Sequence, residues 1–132
     1  MTRRHPLLAV LVLGLLALFL ASCADSGDPS EAIEAYLQAL IEKDRDAFNN
    51  LVCAGYEAEA QVEFDSLGAV ETSLRDLECE RDGESGDYAL VSCTGFIEVS
   101  YGGENTQDLD LSREPFRALE DDGEWLMCGY ER

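Results

Sequence analysis

The chain carries five cysteines, at positions 23, 53, 79, 93 and 128. An odd number cannot be paired off within one exported domain. The setting of the first cysteine resolves the count. Arg3 and Arg4 precede an unbroken apolar run from Leu7 to Ala21, after which small and polar residues take over. A basic head, a short apolar core and a small-residue boundary describe a secretory signal peptide. The competing reading is a transmembrane helix, but the run is 15 residues, short of the roughly 20 needed to cross the hydrocarbon layer. No basic residue follows before Lys43 to hold the far end.

Leu20-Ala21-Ser22-Cys23 resembles the bacterial lipobox, Leu-Ala/Ser-Gly/Ala/Ser-Cys. The resemblance implies cleavage between Ser22 and Cys23 and a diacylglyceryl group on the Cys23 sulfur. It places the protein on the outer side of the bacterial cell membrane, or on the periplasmic face of a membrane, held by lipid. Residues 1–22 are then a lipoprotein signal peptide, 23–28 a lipidated tether and 29–132 a single domain. From Cys23 onward the chain keeps all 28 acids but only seven of the nine bases, a net charge of −21. Such a body is repelled by anionic headgroups within a Debye length, about 8 Å. With no basic patch to meet phosphates, nucleic-acid binding is disfavoured.

With Cys23 assigned to lipid, Cys53, Cys79, Cys93 and Cys128 remain, spaced 26, 14 and 35 residues apart. Zinc sites prefer close ligand pairs, and an oxidising compartment favours disulfides. "LRDLECERDGESGDYALVSCTG" reads as strand, turn, strand, with the turn at Asp82–Asp87. A hairpin centred on Gly86 sets Cys79 directly opposite Cys93, within bridging distance. Cys53 and Cys128 then pair with each other. In the chain-entropy picture the two bridges contribute about 3 and about 4.5 kcal/mol.

Asp28-Pro29-Ser30-Glu31 opens a helix, with Asp28 as cap, Pro29 in the first turn and Glu31 at the capping-box position. Ile33, Tyr36, Leu37, Leu40 and Ile41 then form one apolar stripe. Asp44 caps a second short helix carrying Ala47, Phe48, Leu51 and Val52, and residues 56–66 form a third with Ala60, Phe64 and Leu67 on one face. After Gly68 the period changes to two. Strands are expected at 73–81, 88–101, 106–112, 115–120 and 124–130, with a bend at Ser112–Pro115 because proline cannot donate to a central ladder. Helices followed by an antiparallel meander make an α+β domain.

"EAIEAYLQALIEKDRDAFNNLVC", followed by a meander ending in "DGEWLMCGY", resembles the nuclear transport factor 2-like (cystatin-like) superfamily across most of residues 29–130. The resemblance implies N-terminal helices packed on a curved antiparallel sheet in a cone, and a habit of dimerising through the sheet. Some enzymes of the superfamily use a pocket with a Tyr and an Asp. Carried over, this implies possible pocket positions at Tyr36, Tyr56, Tyr101 and Tyr130, with Asp65 near the rim.

The chemistry on offer is narrow. The single histidine, His5, lies in the signal peptide, and the four paired cysteines leave no thiol nucleophile. No phosphate loop, calcium loop or metal-ligand cluster is recognisable, so no cofactor and no metal are expected. The acidic run Glu57, Glu59, Glu63 and Asp65 reads as a solvated face. Strand 88–101 is apolar on both faces, with Tyr88, Leu90 and Phe96 opposite the face of Ala89, Val91, Ile97 and Val99. A second subunit or a protein partner would cover it, or a bent sheet burying both faces in one chain.

The function expected is therefore a non-enzymatic, lipid-anchored envelope domain binding a protein partner or a small apolar ligand. An isomerase- or hydratase-type pocket enzyme using Tyr and Asp/Glu is the alternative, and a structural envelope module is another. Replacing Cys23 by Ser is expected to abolish metabolic labelling with radioactive palmitate; undiminished label on that variant would overturn the lipobox reading.

Overall fold

A computed structural model describes residues 27–132, so the expected signal peptide (residues 1–22) and the expected lipidation site, Cys23, lie outside the described residues. Helix α1 (Pro29–Glu42) starts as its sequence requires. Asp28 Oδ1 accepts from the Ser30 backbone N–H at 2.9 Å and from the Ser30 hydroxyl at 2.8 Å. Both hydrogens taken by the cap thus come from Ser30, and among the described residues Glu31 accepts no bond back from the Asp28 N–H, as the expected capping box would require. Lys43, in the left-handed region at φ 59°, ends the helix. Asp44 caps α2 (Arg45–Asn50) by accepting from the Ala47 N–H. A tight helical turn (Ala54–Tyr56) leads into α3 (Glu57–Gly68).

Five strands follow: β1 (Glu71–Ser85), β2 (Tyr88–Tyr101), β3 (Asn105–Asp110), β4 (Phe116–Asp121) and β5 (Glu124–Tyr130). They form one curved antiparallel sheet, and the domain is α+β. The spine is β2. Along one edge it pairs with β1 throughout. Along the other it pairs first with β4, from Tyr88–Leu119 to Val91–Phe116, and then with β3, from Phe96–Asp110 to Tyr101–Asn105. β3 and β4 are in effect one strand broken at residues 111–115, where Pro115 has no N–H to offer. β5 pairs with β4. The outer edge of β5 takes residues 51–53, with Met127 N–H donating to Leu51 O at 2.7 Å and Cys53 N–H to Met127 O at 2.9 Å. The Cys53–Cys128 disulfide, with Cα atoms 5.3 Å apart, fastens that junction.

The core lies between the helices and the inner face of the sheet. Ile33, Tyr36, Leu37 and Leu40 of α1 meet Val91, Val99, Phe116 and Met127, all buried. Phe48 stacks between Tyr36 and Phe64, with centroids 4.9 and 4.8 Å away.

Cys79 and Cys93 are directly opposed and bonded, with Cα atoms 4.1 Å apart. The route to that register differs from a plain hairpin. The turn is the two residues Gly86–Asp87, since Ser85 pairs with Tyr88. Continued without interruption, that register would set Cys79 against Thr94. An extra residue at Asp82–Gly83, opposite Leu90, corrects it by one, with Gly83 at φ 102°. β1 therefore runs on to Ser85, past the expected end at 81. A second bulge pairs Asp76–Leu77 against Gly95. It keeps Leu74 and Leu77, three residues apart, both packed on the core.

The outer face of β2 carries Tyr88, Leu90 and Phe96, all half-buried. Arg117 lies over the Tyr88 ring at 5.2 Å, and Arg75 over Phe96 at 5.2 Å. Both guanidinium groups are pinned by carboxylates: Arg117 by Glu131 at 2.6 Å, Arg75 by Glu98 at 3.1 Å and Asp108 at 2.7 Å. Part of the second apolar face is thus covered from within the chain, by arginine planes on aromatic rings.

Gly95 is the position least able to change. It sits at φ 102°, and a Cβ there would lie 2.6 Å from the carbonyl oxygens of Arg75 and Asp76. Gly95→Ala is expected to cost about 3 kcal/mol and to lower the Tm by roughly 15 °C. Gly55→Ala, where an added Cβ would meet no atom within 4 Å beyond its own stretch of chain, should leave it unchanged. Thermal unfolding of the two variants checks this.

Candidate functional site

Three tyrosines from three elements converge on one carboxylate. Tyr36 on the buried stripe of α1 donates to Glu63 Oε2 at 2.5 Å. Tyr56, from the tight turn, donates to Glu63 Oε1 at 2.5 Å. Tyr130 of β5 donates to Glu63 Oε2 at 3.2 Å. The helix period explains Glu63. It lies three residues after Ala60 and four before Leu67, and so on the face of α3 that turns inward.

Tyr130 arrives there through backbone irregularity. Phe116 pairs with Tyr130 and Ala118 with Met127, so Cys128 and Gly129 together face the single residue Arg117. In a regular strand, inward-facing Met127 would leave residue 130 facing outward. The extra residue turns Tyr130 to the same side as Phe116, and their ring centroids lie 5.1 Å apart. Gly129, at φ 102°, has the Tyr56 ring beside it, and a Cβ there would lie 3.4 Å from Tyr56 Cδ2.

Burial, reinforced by Glu63, pushes the pKa of all three phenols well above the ordinary 10.0. They hold their protons and act as donors. Glu63 accepts three bonds on two oxygens that offer about four lone-pair positions between them. Such a carboxylate is poorly placed to take a proton from a substrate, and its partners are poorly placed to give one. The cluster chiefly binds elements together.

Beside it opens a cleft of about 320 Å³ between the second half of α1 and the break between β3 and β4. Leu37, Leu40, Ile97, Leu109, Leu111 and Phe116 supply its apolar lining. Asp110, Arg113 and Glu114 also border it, and Tyr130 belongs to both the cleft and the cluster.

Of the pocket residues expected from the resemblance, Tyr36 and Tyr56 are brought together, with Tyr130. Asp65 is not at the site: its side chain is 66% exposed and bonds Arg45 at 2.8 Å. Two residues beyond Glu63, it falls about 200° around the helix. Tyr101 is not there either, being 53% exposed at the far end of β2. Glu63 is the member missed, read as one of a solvated acidic run. Its spacing from Ala60 and Leu67 was the available clue. Among the described residues no group of three or more His, Cys, Asp or Glu side chains could hold a metal ion, and no helix is long and apolar enough to cross a membrane. No family model matches the sequence, and no curated protein matches it.

The raised phenol pKa values set a pH dependence. Below about pH 10 the folded and unfolded chains are equally protonated at these groups, and the stability linked to them is fully present. Above it the unfolded chain releases protons that the folded chain keeps, so stability falls as pH rises. The slope is about 1.4 kcal/mol per pH unit for each of Tyr36 and Tyr130, and less for the more accessible Tyr56. Denaturant titrations at stepped alkaline pH, with phenolate absorbance followed in parallel, should show ionisation only as the chain unfolds. A stability that stays level above pH 10 would mean that the phenols ionise within the fold.

Proposed function

We propose that the protein is a lipid-anchored domain of the bacterial cell envelope that holds a small apolar ligand in the cleft between α1 and the β3–β4 break. The observation that carries this reading is the cleft lining: six apolar side chains from α1, β2, β3, the break and β4, with polar groups among the described residues limited to Tyr130, Asp110, Arg113 and Glu114. An apolar cleft with few polar groups is the usual form of a small-molecule site. The anchor follows from the basic head, apolar run and Cys23 of the N-terminal sequence. The order of helices and strands, with Tyr36-Leu37 on the first helix and Gly123-Glu124-Trp125 opening the last strand, supports a nuclear transport factor 2-like (cystatin-like) cone.

The Tyr/Glu cluster is the feature on which an isomerase- or hydratase-type reading would rest. Its carboxylate is already occupied by three donors, which favours binding over catalysis. The arginine cover on Tyr88 and Phe96 reduces the apolar area that a second subunit would find on the sheet.

A neutral fluorescent probe such as N-phenylnaphthylamine is expected to bind saturably at one molecule per chain. Leu109→Ser, at a lining residue already 38% exposed, should weaken that binding several-fold without altering the Tm. A probe that fails to bind, or binds the variant equally well, removes the cleft from consideration.

A further inference from the structure

We infer that the cleft selects a small amphiphilic cation, an apolar body carrying one protonated amine. The inference rests on the cleft being a ligand site and specifies the ligand's chemistry.

The polar groups around the cleft are mostly acceptors. The hydroxyl hydrogen of Tyr130 is committed to Glu63 at 3.2 Å, so toward a ligand its oxygen offers only lone pairs. Glu114 borders the same cleft, and its charge bears on the Tyr130 hydroxyl. No side-chain hydrogen bond or ion pair with the described residues occupies Glu114. Asp110 Oδ1 accepts from the Ser112 N–H at 2.9 Å and the Ser112 hydroxyl at 2.7 Å, which leaves Oδ2. Arg113 is the single cation at the rim, and Asp110 feels its charge. Arg113 makes no ion pair with Asp110 or any other described residue, and two carboxylates, Asp110 and Glu114, border the cleft with it. The cleft therefore offers a ligand two carboxylates against one guanidinium, with the Tyr130 oxygen and the Glu63 charge behind it.

Each ligand head meets this arrangement differently. A carboxylate finds one cation, Arg113, and is repelled by both Asp110 and Glu114. An alcohol can donate to Tyr130 but gains nothing from the charge. A protonated amine can donate to Tyr130 and Glu114 together, and its bond to Tyr130 reinforces the one from Tyr130 to Glu63. The field of a chain with formal charge −19 also draws cations toward the surface. At about 320 Å³ the cleft suits a small body, near the lower end of small-molecule pockets.

The test uses the purified protein with both disulfides intact, at an ionic strength of about 0.15 M to screen loose attraction to the acidic surface. Octylammonium, octanol and octanoate are titrated while the methyl resonances of Leu109 and Leu111 are followed by NMR. Octylammonium is expected to shift them saturably and to bind at least about tenfold more tightly than octanoate, a difference of about 1.4 kcal/mol. Glu114→Gln, at an exposed position, should cut octylammonium affinity several-fold and leave octanol unchanged. Octanoate binding as tightly as the amine, or an amine affinity unaffected by Glu114→Gln, overturns the inference. If octanol saturates the cleft with no preference for the amine, the ligand-site reading stands and charge selection falls. If none of the three moves the two methyl signals, both fall.

Discussion

Four elements of the domain depend on one carboxylate. Glu63 on α3 accepts from α1, from the tight turn and from β5, so the third helix is joined to the first helix and to the last strand. Its other ties are few. Only Ala60 and Phe64 of α3 are buried, Leu67 packs partly buried against the core, and the helix is further joined by the Phe48–Phe64 stack, by the Gln61 amide donating to Asn49 at 2.7 Å, and by Arg45, which lies over Phe64 and bonds Asp65 and Gln61. The tyrosines depend on it in turn. A hydroxyl taken out of water without a partner costs roughly 1–3 kcal/mol, and Tyr36 is fully buried. The polar cluster thus lets large aromatic rings fill the core without leaving their hydroxyls unpaired.

Three bulges then determine what the sheet can present. The one at Asp82–Gly83 restores the register that the cysteine bridge between β1 and β2 requires. The one at Asp76–Leu77 keeps two leucines on the core. The one at Cys128–Gly129 brings Tyr130 to Glu63 and to the cleft. Each has a glycine at φ 102° on one strand or the other, at positions 83, 95 and 129. This backbone freedom belongs to glycine alone among the residues that could stand there.

Much of this was legible in the sequence, and the boundary is physical. The caps at Asp28 and Asp44, the α1 stripe, the break before Pro115 and the Cys79–Cys93 bridge follow from local chemistry and short spacings, and the Cys53–Cys128 bridge follows from that one by elimination. The bulges do not. A period-two pattern gives the same alternation whether or not one residue is added, and the expected register at Cys79–Cys93 is reached by a longer strand with a correction inside it. Glu63 was hidden by its neighbours, since an acid among acids suggests a wet face. Its helical spacing from Ala60 and Leu67 is the one clue in the sequence, and the packing of three tyrosines sets it apart from Glu57 and Glu59, which stay exposed. Strand 88–101 raised the right question about a second apolar face. The answer involves Arg75 and Arg117, whose neighbours across the strands cannot be known before the pairing is.

Trp125 gives the described chain a fixed point of entry. Its indole N–H donates to the Gly27 carbonyl at 3.2 Å, which seats the start of α1 against the beginning of β5. The cleft is bordered by Leu37 and Leu40, and at 1.5 Å per residue it lies about 15 Å further along the same helix. The helix therefore acts as a strut, rooted at one end where the chain enters and bordering the cleft at the other. A pull on the residues before Gly27 would be borne first by the Trp125 bond and the Asp28 cap, and the cleft would keep its shape while the body swung about that root.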